Sequence, residues 1–199
     1  MRITGGSAAG ATLKVPKGLS VRPTPEKVRL AIFNSLGRFV EGSRVLELFA
    51  GTGSLGLECL SRGATTVTFV ELSGRHTRVM KANSRSVGIS PNQARFINGD
   101  AYVILKQLRC DESKFDLIIA DPPYGEKNVN RRSESFSQQL LDNTNLPTLI
   151  ETDGLFVLGH TKRDKLEVVQ PWSLKKNLKH GDTHFEILYP ECSQAKNLQ

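Results

Sequence analysis

Short apolar runs alternate with amphipathic stretches along most of the chain. The runs are rich in aliphatic, β-branched and aromatic residues, which is typical of buried strands. They cover residues 45–49, 67–70, 94–97, 117–120 and 155–158. The stretches between them repeat apolar residues at helical spacing, and glycines follow two of them. These predicted helices cover residues 55–61, 75–87, 102–108 and 134–141.

This alternation predicts an α/β fold in which helices cover both faces of a mostly parallel sheet. Residues 166–169 and 185–188 are also strand-like, and no long helical pattern separates them. We therefore expect an antiparallel pair at one edge of a seven-stranded sheet, with one edge strand reversed.

The first forty residues follow a different pattern. Residues 2–6 and 11–15 alternate around a glycine-rich connection, which predicts a small hairpin. Thr24 is a candidate N-cap and Pro25 suits the first turn of a helix that stops at Gly37. We predict a single domain over residues 1–199, with the hairpin and a covering helix in 1–38, a core in 44–190 and a flexible tail in 191–199.

The distribution of charge along the chain suggests a binding partner. The chain of 199 residues has a formal net charge of +7, and 38% of it is hydrophobic, as in a soluble basic domain. Up to residue 38 there is one acid, Glu26, and the basic residues are Arg2, Lys14, Lys17, Arg22, Lys27, Arg29 and Arg38. Such an excess favours a polyanionic partner, although an ordinary solvated surface has the same composition.

Other composition signals exclude several classes of protein. The cysteines Cys59, Cys110 and Cys192 are far apart and form no CxxC pair, so we expect free thiols in a reducing cytoplasm. No apolar run has the length of a membrane span. His180 and His184 are four residues apart, but Gly181 argues against a helical metal pair, so no metal is predicted and both are assigned to the surface or to the neighbourhood of RNA.

A glycine-rich loop follows the first predicted core strand. Gly51, Gly53 and Gly56 match the GxGxxG spacing, which occurs in sites for NAD, FAD or S-adenosylmethionine. A dinucleotide places its pyrophosphate on a helix N-terminus, whereas S-adenosylmethionine has no phosphate and carries a sulfonium and an ammonium. Glu47 could attract those cations, or it could cap a neighbouring helix.

Two further acidic residues follow strands. Glu71 lies about 20 residues after the glycines, where a carboxylate can accept the ribose hydroxyls of adenosine. Asp100 could accept the adenine amino group while Ala101 donates a backbone N–H, but Asp100 is also a good N-cap. The predicted cofactor set is Glu47, Phe49, Gly51, Thr52, Gly53, Glu71, Leu72, Asp100, Ala101 and Asp121.

The sequence Asp121-Pro122-Pro123-Tyr124 carries the candidate chemistry. The prolines fix an extended backbone after a strand. The Asp121 carboxylate and the Pro122 carbonyl could then accept the two hydrogens of an exocyclic base amine and aim its lone pair at a methyl group. Tyr124 would stack on the base, or it would be a core residue of a rigid loop.

Other residues give weaker signals. Arg131 and Arg132 follow the tetrapeptide and could meet phosphate, and a solvated turn explains them equally well. Trp172 is assigned to the core.

Over nearly its whole length the chain resembles the bacterial 16S ribosomal RNA guanine-N2 methyltransferases of small-subunit assembly. The shared motifs are Met1 to Gly6, Arg22-Pro23-Thr24 with Val28-Arg29 and Phe33-Asn34, Leu46 to Gly53, Asp121 to Tyr124, and Gly181-Asp182-Thr183. The resemblance implies a Rossmann-like class I fold, S-adenosylmethionine as cofactor, and Arg22, Pro23 and Thr24 closing the site.

The predicted partner is the small ribosomal subunit or its 16S rRNA, bound by a cytoplasmic monomer. The residues assigned to RNA are Arg2, Lys14, Arg22, Thr24, Arg29, Arg131 and Arg132. Two alternatives stay open. Adenine-N6 methylation of DNA uses the same chemistry, but such enzymes usually carry a target-recognition segment, for which this chain has no room. A ribosome-assembly protein without catalysis would not need the glycines and the acids.

Overall fold

A seven-stranded sheet organises the protein, and helices cover both of its faces. The computed structural model describes residues 1–15, 24–123 and 132–191. The helices are α1 Glu26–Leu36, α2 Ser54–Ser61, α3 Gly74–Ser86, α4 Ala101–Cys110 and α5 Phe136–Leu141. The strands are β1 Arg44–Leu48, β2 Thr66–Glu71, β3 Ala94–Asn98, β4 Phe115–Ala120, β5 Ile150–Thr161, β6 Trp172–His180 and β7 Thr183–Pro190.

The strand order is β3-β2-β1-β4-β5-β7-β6. The first five strands in this order are parallel, while β7 is antiparallel to both β5 and β6. This confirms the predicted sheet, including its reversed strand. The order places the carboxyl ends of β1, β2, β4 and β5 at one edge, where open α/β sheets bind ligands.

Each face of the sheet has its own apolar core. On one face, residues of the N-terminal hairpin, α1, α2 and α3 pack on alternate residues of the strands. On the other face, α4 and α5 pack on the residues between them, and Trp172 belongs to this core, as predicted. The central strands are buried on both sides, which explains why their sequences are nearly continuous apolar runs.

The partner of β7 was predicted wrongly. Residues 166–169 form no strand, and β7 pairs instead with β6. Leu166 and Val168 do pack on the core, which accounts for their alternating pattern. However, the side-chain amide of Gln138 donates to the carbonyl of Glu167 and accepts from its N–H, at 3.1 and 2.8 Å, so a side chain replaces the neighbouring strand.

The N-terminal hairpin is present, and the buried carboxylate of Glu58 in α2 holds it through hydrogen bonds. The Ile3 N–H donates to the Ala11 carbonyl at 2.9 Å, which closes the hairpin. The Glu58 carboxylate accepts from the Thr4 N–H at 2.8 Å and the Thr4 hydroxyl at 2.6 Å, and the Arg62 Nε donates to it at 2.8 Å. Because the Glu58 side chain is fully buried, this anchor is shielded from water.

The cysteines and the length of the helices were the subject of two further predictions. Cys59 is a buried free thiol and Cys110 an exposed one. No helix in the described ranges is long and apolar enough to cross a membrane.

We predict that Glu58→Ala destabilises the protein by about 2–4 kcal/mol, because it removes the hydrogen bonds to Thr4 and the partner of Arg62. Arg62 can still reach water, which keeps the loss below that of a fully buried pair. Urea unfolding measures the change. Glu41→Ala is the matched control, since the Glu41 side chain is 68% exposed and its ion pair with Arg38 is long, at 3.9 Å. Equal effects of the two substitutions would show that Glu58 is no anchor.

Candidate active site

The carboxyl edge of the sheet brings three predicted acidic residues into one region. Glu47 lies in β1, Glu71 ends β2, and Asp121 directly follows β4. Asp121 and Glu71 both raise the pKa of Glu47, so the three carboxylates influence one another electrostatically. Like charges gathered in a buried region favour a cationic ligand.

The glycine loop turns tightly between β1 and α2. Phe49 has a φ of 55°, a left-handed conformation that is uncommon for a residue with a side chain. Gly53 has a φ of 79°, and a Cβ there would lie 2.6 Å from Met80. A Cβ on Gly56 would overlap the Phe69 ring, so α2 packs directly on the sheet only because Gly56 has no side chain.

Glu47 caps α2 from inside the protein. Its Oε2 accepts from the Gly56 N–H at 2.9 Å, and burial raises the pKa of Glu47 to about 8, against the opposing hydrogen bonds of Gly56 and Leu55. The helix-capping alternative is therefore what the structure shows. These amides are the donors that a pyrophosphate would need, so Glu47 disfavours the dinucleotide alternative at this loop.

Glu71 ties the glycine loop to the end of β2. Its Oε2 accepts from the Gly51 N–H at 2.8 Å, while its Oε1 accepts from the Ser73 N–H at 2.8 Å and lies 3.2 Å from the His76 Nδ1. A carboxylate has four acceptor positions, so it can still bind ribose hydroxyls. Next to it, Leu72 is 69% exposed and offers an apolar surface beside this acid.

Asp100 is the N-cap of α4. Its Oδ1 accepts from the N–H groups of Tyr102 and Val103 at 2.9 and 3.1 Å, so the capping role is observed and adenine recognition stays a prediction. Ala101 is buried at the start of this helix. Beside it the Phe49 ring contacts Tyr102 and Phe136, with centroids 6.2 and 5.8 Å away, which forms an aromatic wall next to the glycine loop.

Asp121 is held by a residue that is distant in the sequence. The Thr24 hydroxyl donates to its Oδ2 at 2.5 Å, whereas its Oδ1 is enclosed and has no hydrogen-bond partner among the described residues. Burial raises the pKa of Asp121 to about 6, and the hydrogen bond from Thr24 opposes this rise. A Cβ on Gly159 would collide with Oδ1, so this glycine leaves the space that the carboxylate occupies.

Gly159 was not predicted in this role, and for Thr24 the family resemblance implied only that it helps to close the site. We expected Thr24 to cap α1, but the cap position is Pro25, whose side chain makes no capping hydrogen bond. The Thr24 side chain is instead turned toward Asp121. Gly159 lies inside an apolar strand, where an isolated glycine is the sequence signal for a close approach.

The tetrapeptide lies only partly within the described residues. Pro122 is buried and Pro123 is exposed. Tyr124 lies outside the described residues, as do Arg22, Pro23 and Arg131.

The described residues assigned to RNA are mostly engaged within the protein. Arg2 pairs with Glu26, and Arg132 pairs with Asp142 and Glu167, so their charges are already matched. The RNA prediction is wrong for Arg29, because its side chain is buried and donates to the backbone carbonyls of Thr24 and Arg2 at 2.8 and 2.5 Å.

Lys14 keeps an exposed side chain while its backbone pairs with Asn83. Lys14 therefore still fits its assignment to RNA. Among the described residues, no group of three His, Cys, Asp or Glu side chains is arranged to hold a metal ion.

The sheet order, the glycine loop and the acidic edge together define a class I S-adenosylmethionine-dependent methyltransferase fold. Residues 1–189 match the model of a family described as conserved hypothetical protein 95. The ribosomal RNA small subunit methyltransferase D of Escherichia coli K12 is 33% identical, over 96% of this chain and 91% of its own. The corresponding protein of Haemophilus influenzae is 31% identical, over 94% and 92%.

A solved structure of a hypothetical protein from Thermus thermophilus has the same architecture. It is 30% identical with a TM-score of 0.77, over 95% of this chain and 99% of its own. The chain belongs to the family described as conserved hypothetical protein 95, which includes the bacterial ribosomal RNA small subunit methyltransferases D.

We predict that Thr24→Val raises the pKa of Asp121 further above its present value of about 6, because the substitution removes the hydrogen bond that favours the charged carboxylate. Carbon-detected NMR titration of the carboxyl group measures the pKa. Thr24→Ser keeps the hydroxyl and should leave the pKa unchanged. An unchanged pKa in the valine variant would mean that Thr24 does not act on Asp121.

Proposed function

We propose that this protein transfers a methyl group from S-adenosylmethionine to the exocyclic N2 amine of a guanine in 16S ribosomal RNA. The observation that carries the proposal is the enclosed Oδ1 of Asp121, which has no hydrogen-bond partner in the described part of the protein. An unsatisfied acceptor costs stability, so it is expected where a ligand supplies the missing donor.

An exocyclic base amine supplies that donor. Its lone pair is delocalised into the ring, and two acceptors that bind its hydrogens favour a pyramidal, nucleophilic nitrogen. Asp121 Oδ1 and the Pro122 carbonyl are positioned by β4 and by the prolines, and the amine reaches Oδ1 once the atoms that enclose it move aside. Thr24 fixes the other oxygen, which leaves Oδ1 as the acceptor for substrate.

The cofactor site fits S-adenosylmethionine. This cofactor supplies an electrophilic methyl group on a positively charged sulfur. Glu71 can accept the ribose hydroxyls, and Glu47, whose pKa of about 8 leaves it largely protonated near neutral pH, can ionise when a cation binds near the glycine loop. A cation brought into this cluster favours the ionised forms of Glu47 and Asp121.

The choice of 16S rRNA rests on family membership, since the relatives that match most of this chain are named as ribosomal RNA small subunit methyltransferases. The net charge of +7 is consistent with such a polyanionic partner. The single-domain organisation, the monomeric state and the cytoplasmic location remain predictions from the sequence.

One assay separates this function from its alternatives. Labelled S-adenosylmethionine is supplied with small subunits, protein-free 16S rRNA and duplex DNA, and the labelled nucleotide is identified by digestion and mass spectrometry. The proposal requires N2-methylguanine from the small subunit or its rRNA. Methyladenine in DNA would support the DNA enzyme instead, and an absence of label in every nucleic acid would support a binding protein without catalysis.

We predict that Asp121→Ala lowers the methyl-transfer rate constant by at least about a thousandfold, because the amine loses its charged acceptor. Cofactor affinity should stay within about tenfold, since the carboxylate acts mainly on the target amine. Calorimetric titration with S-adenosylmethionine and a single-turnover assay separate the two effects. Asp111→Ala, at an exposed aspartate after α4, is the control and should change neither. Equal losses of affinity and rate would place Asp121 in the cofactor site.

A further inference from the structure

The segment between Glu71 and Asp100 contains no acidic residue. Its basic residues are Arg75, Arg78, Lys81, Arg85 and Arg95. The first four lie within α3. This helix therefore carries the most one-sided charge among the described helices, although the N-terminal residues had suggested the RNA contact.

The helix directs these charges away from the protein. His76, Met80 and Asn83 form its buried face. At 100° per residue, Arg78, Lys81 and Arg85 lie close together on the opposite face, and all three are exposed. We call these three residues the α3 surface.

Helix stability does not explain the α3 surface. Its residues are spaced three and four apart, where like charges repel each other. Arg78 and Arg85 form no ion pair with a described residue, and Lys81 lies 5.8 Å from the centre of the Phe96 ring. Five cations elsewhere among the described residues do contact a carboxylate, namely Arg2, Arg44, Arg62, Arg132 and Lys162, whereas the lysines of β6 resemble the α3 surface in having no such ion pair.

The position of α3 connects this surface to the active site. The helix begins three residues after Glu71, at the same edge of the sheet as the glycine loop. With a rise of 1.5 Å per residue, the surface extends roughly 15 Å from this edge down the outside of the protein. The backbone of Lys14 lies near the C-terminal part of α3, because the Lys14 N–H donates to the buried Asn83 side chain at 2.8 Å.

We propose that the α3 surface binds the phosphate backbone of the ribosomal RNA outside the target nucleotide. This inference rests on the proposed function for the identity of the RNA. Phosphate contacts position a protein on its substrate without reading sequence, and a row of exposed cations on a rigid helix fits that role. A bound RNA backbone also removes the repulsion within α3.

The test replaces the three cations by glutamine, as Arg78→Gln, Lys81→Gln and Arg85→Gln together. The matched control is Lys175→Gln, Lys176→Gln and Lys179→Gln in β6. These lysines are also exposed, and they lie on the opposite edge strand of the same sheet. Both variants lose three positive charges. Filter binding measures the affinity of each for protein-free 16S rRNA and for small subunits at several salt concentrations.

We expect the α3 variant to bind protein-free rRNA at least about tenfold more weakly, with the slope of log affinity against log salt reduced by about 2 to 3. Small subunits should show the same loss, and the methyl-transfer rate at saturating substrate and the affinity for S-adenosylmethionine should stay within about twofold. Circular dichroism confirms that α3 remains folded.

Three outcomes would overturn the proposal: an unchanged salt slope, an equal loss in the β6 control, or a loss toward small subunits but not toward protein-free rRNA. The last outcome would assign the surface to a protein partner. Failure of the proposed function is distinguishable, because it appears in the wild-type protein as absence of rRNA methylation, whereas the binding comparison needs no catalysis.

Discussion

The hydrogen bond from Thr24 to Asp121 joins the covering segment before α1 to the end of β4. It occupies one carboxylate oxygen and leaves the other enclosed against Gly159. The covering segment before α1, the end of β4 and the middle of β5 must all be in place for this arrangement. The sheet order supplies that condition, since β4 lies between β1 and β5. The position of the Asp121 carboxylate thus depends on the fold as a whole.

Charge in this protein is separated by location. The acidic residues Glu47, Glu71 and Asp121 gather at the carboxyl edge of the sheet, although the chain as a whole is positive. The α3 surface faces outward and begins near the same edge. A cationic cofactor and a polyanionic substrate would each meet the opposite charge, and the two would approach one another where those regions meet.

The sequence was sufficient for the buried strands and the acidic edge, because strands covered on both faces are nearly continuous apolar runs and ligands bind at the ends of parallel strands. It was insufficient where a side chain replaces a backbone partner. Gln138 pairs with Glu167, so residues 166–169 have the alternation of a strand without forming one. The strand β6 was missed for a different reason. It lies at the edge of the sheet, and its exposed lysines give it no apolar strand pattern.

Individual side chains were the hardest to predict. Thr24 has the sequence context of a helix cap, and Arg29 has that of a surface cation, but each is buried against a distant part of the chain. No local pattern encodes such contacts, since they depend on how the covering segment packs on the sheet.

We propose that the ionised carboxylate of Asp121 activates the target amine. The pH dependence of methyl transfer with cofactor and small subunits both well below saturation, which reports the protein without ligands, tests it. Because the pKa of Asp121 is raised to about 6, the carboxylate becomes protonated as the pH falls through that value and can no longer accept as an anion. The rate constant should be level above this range and fall about tenfold per pH unit below it. A rate constant that stays level down to the ordinary pKa of an aspartate, about 4, would contradict it.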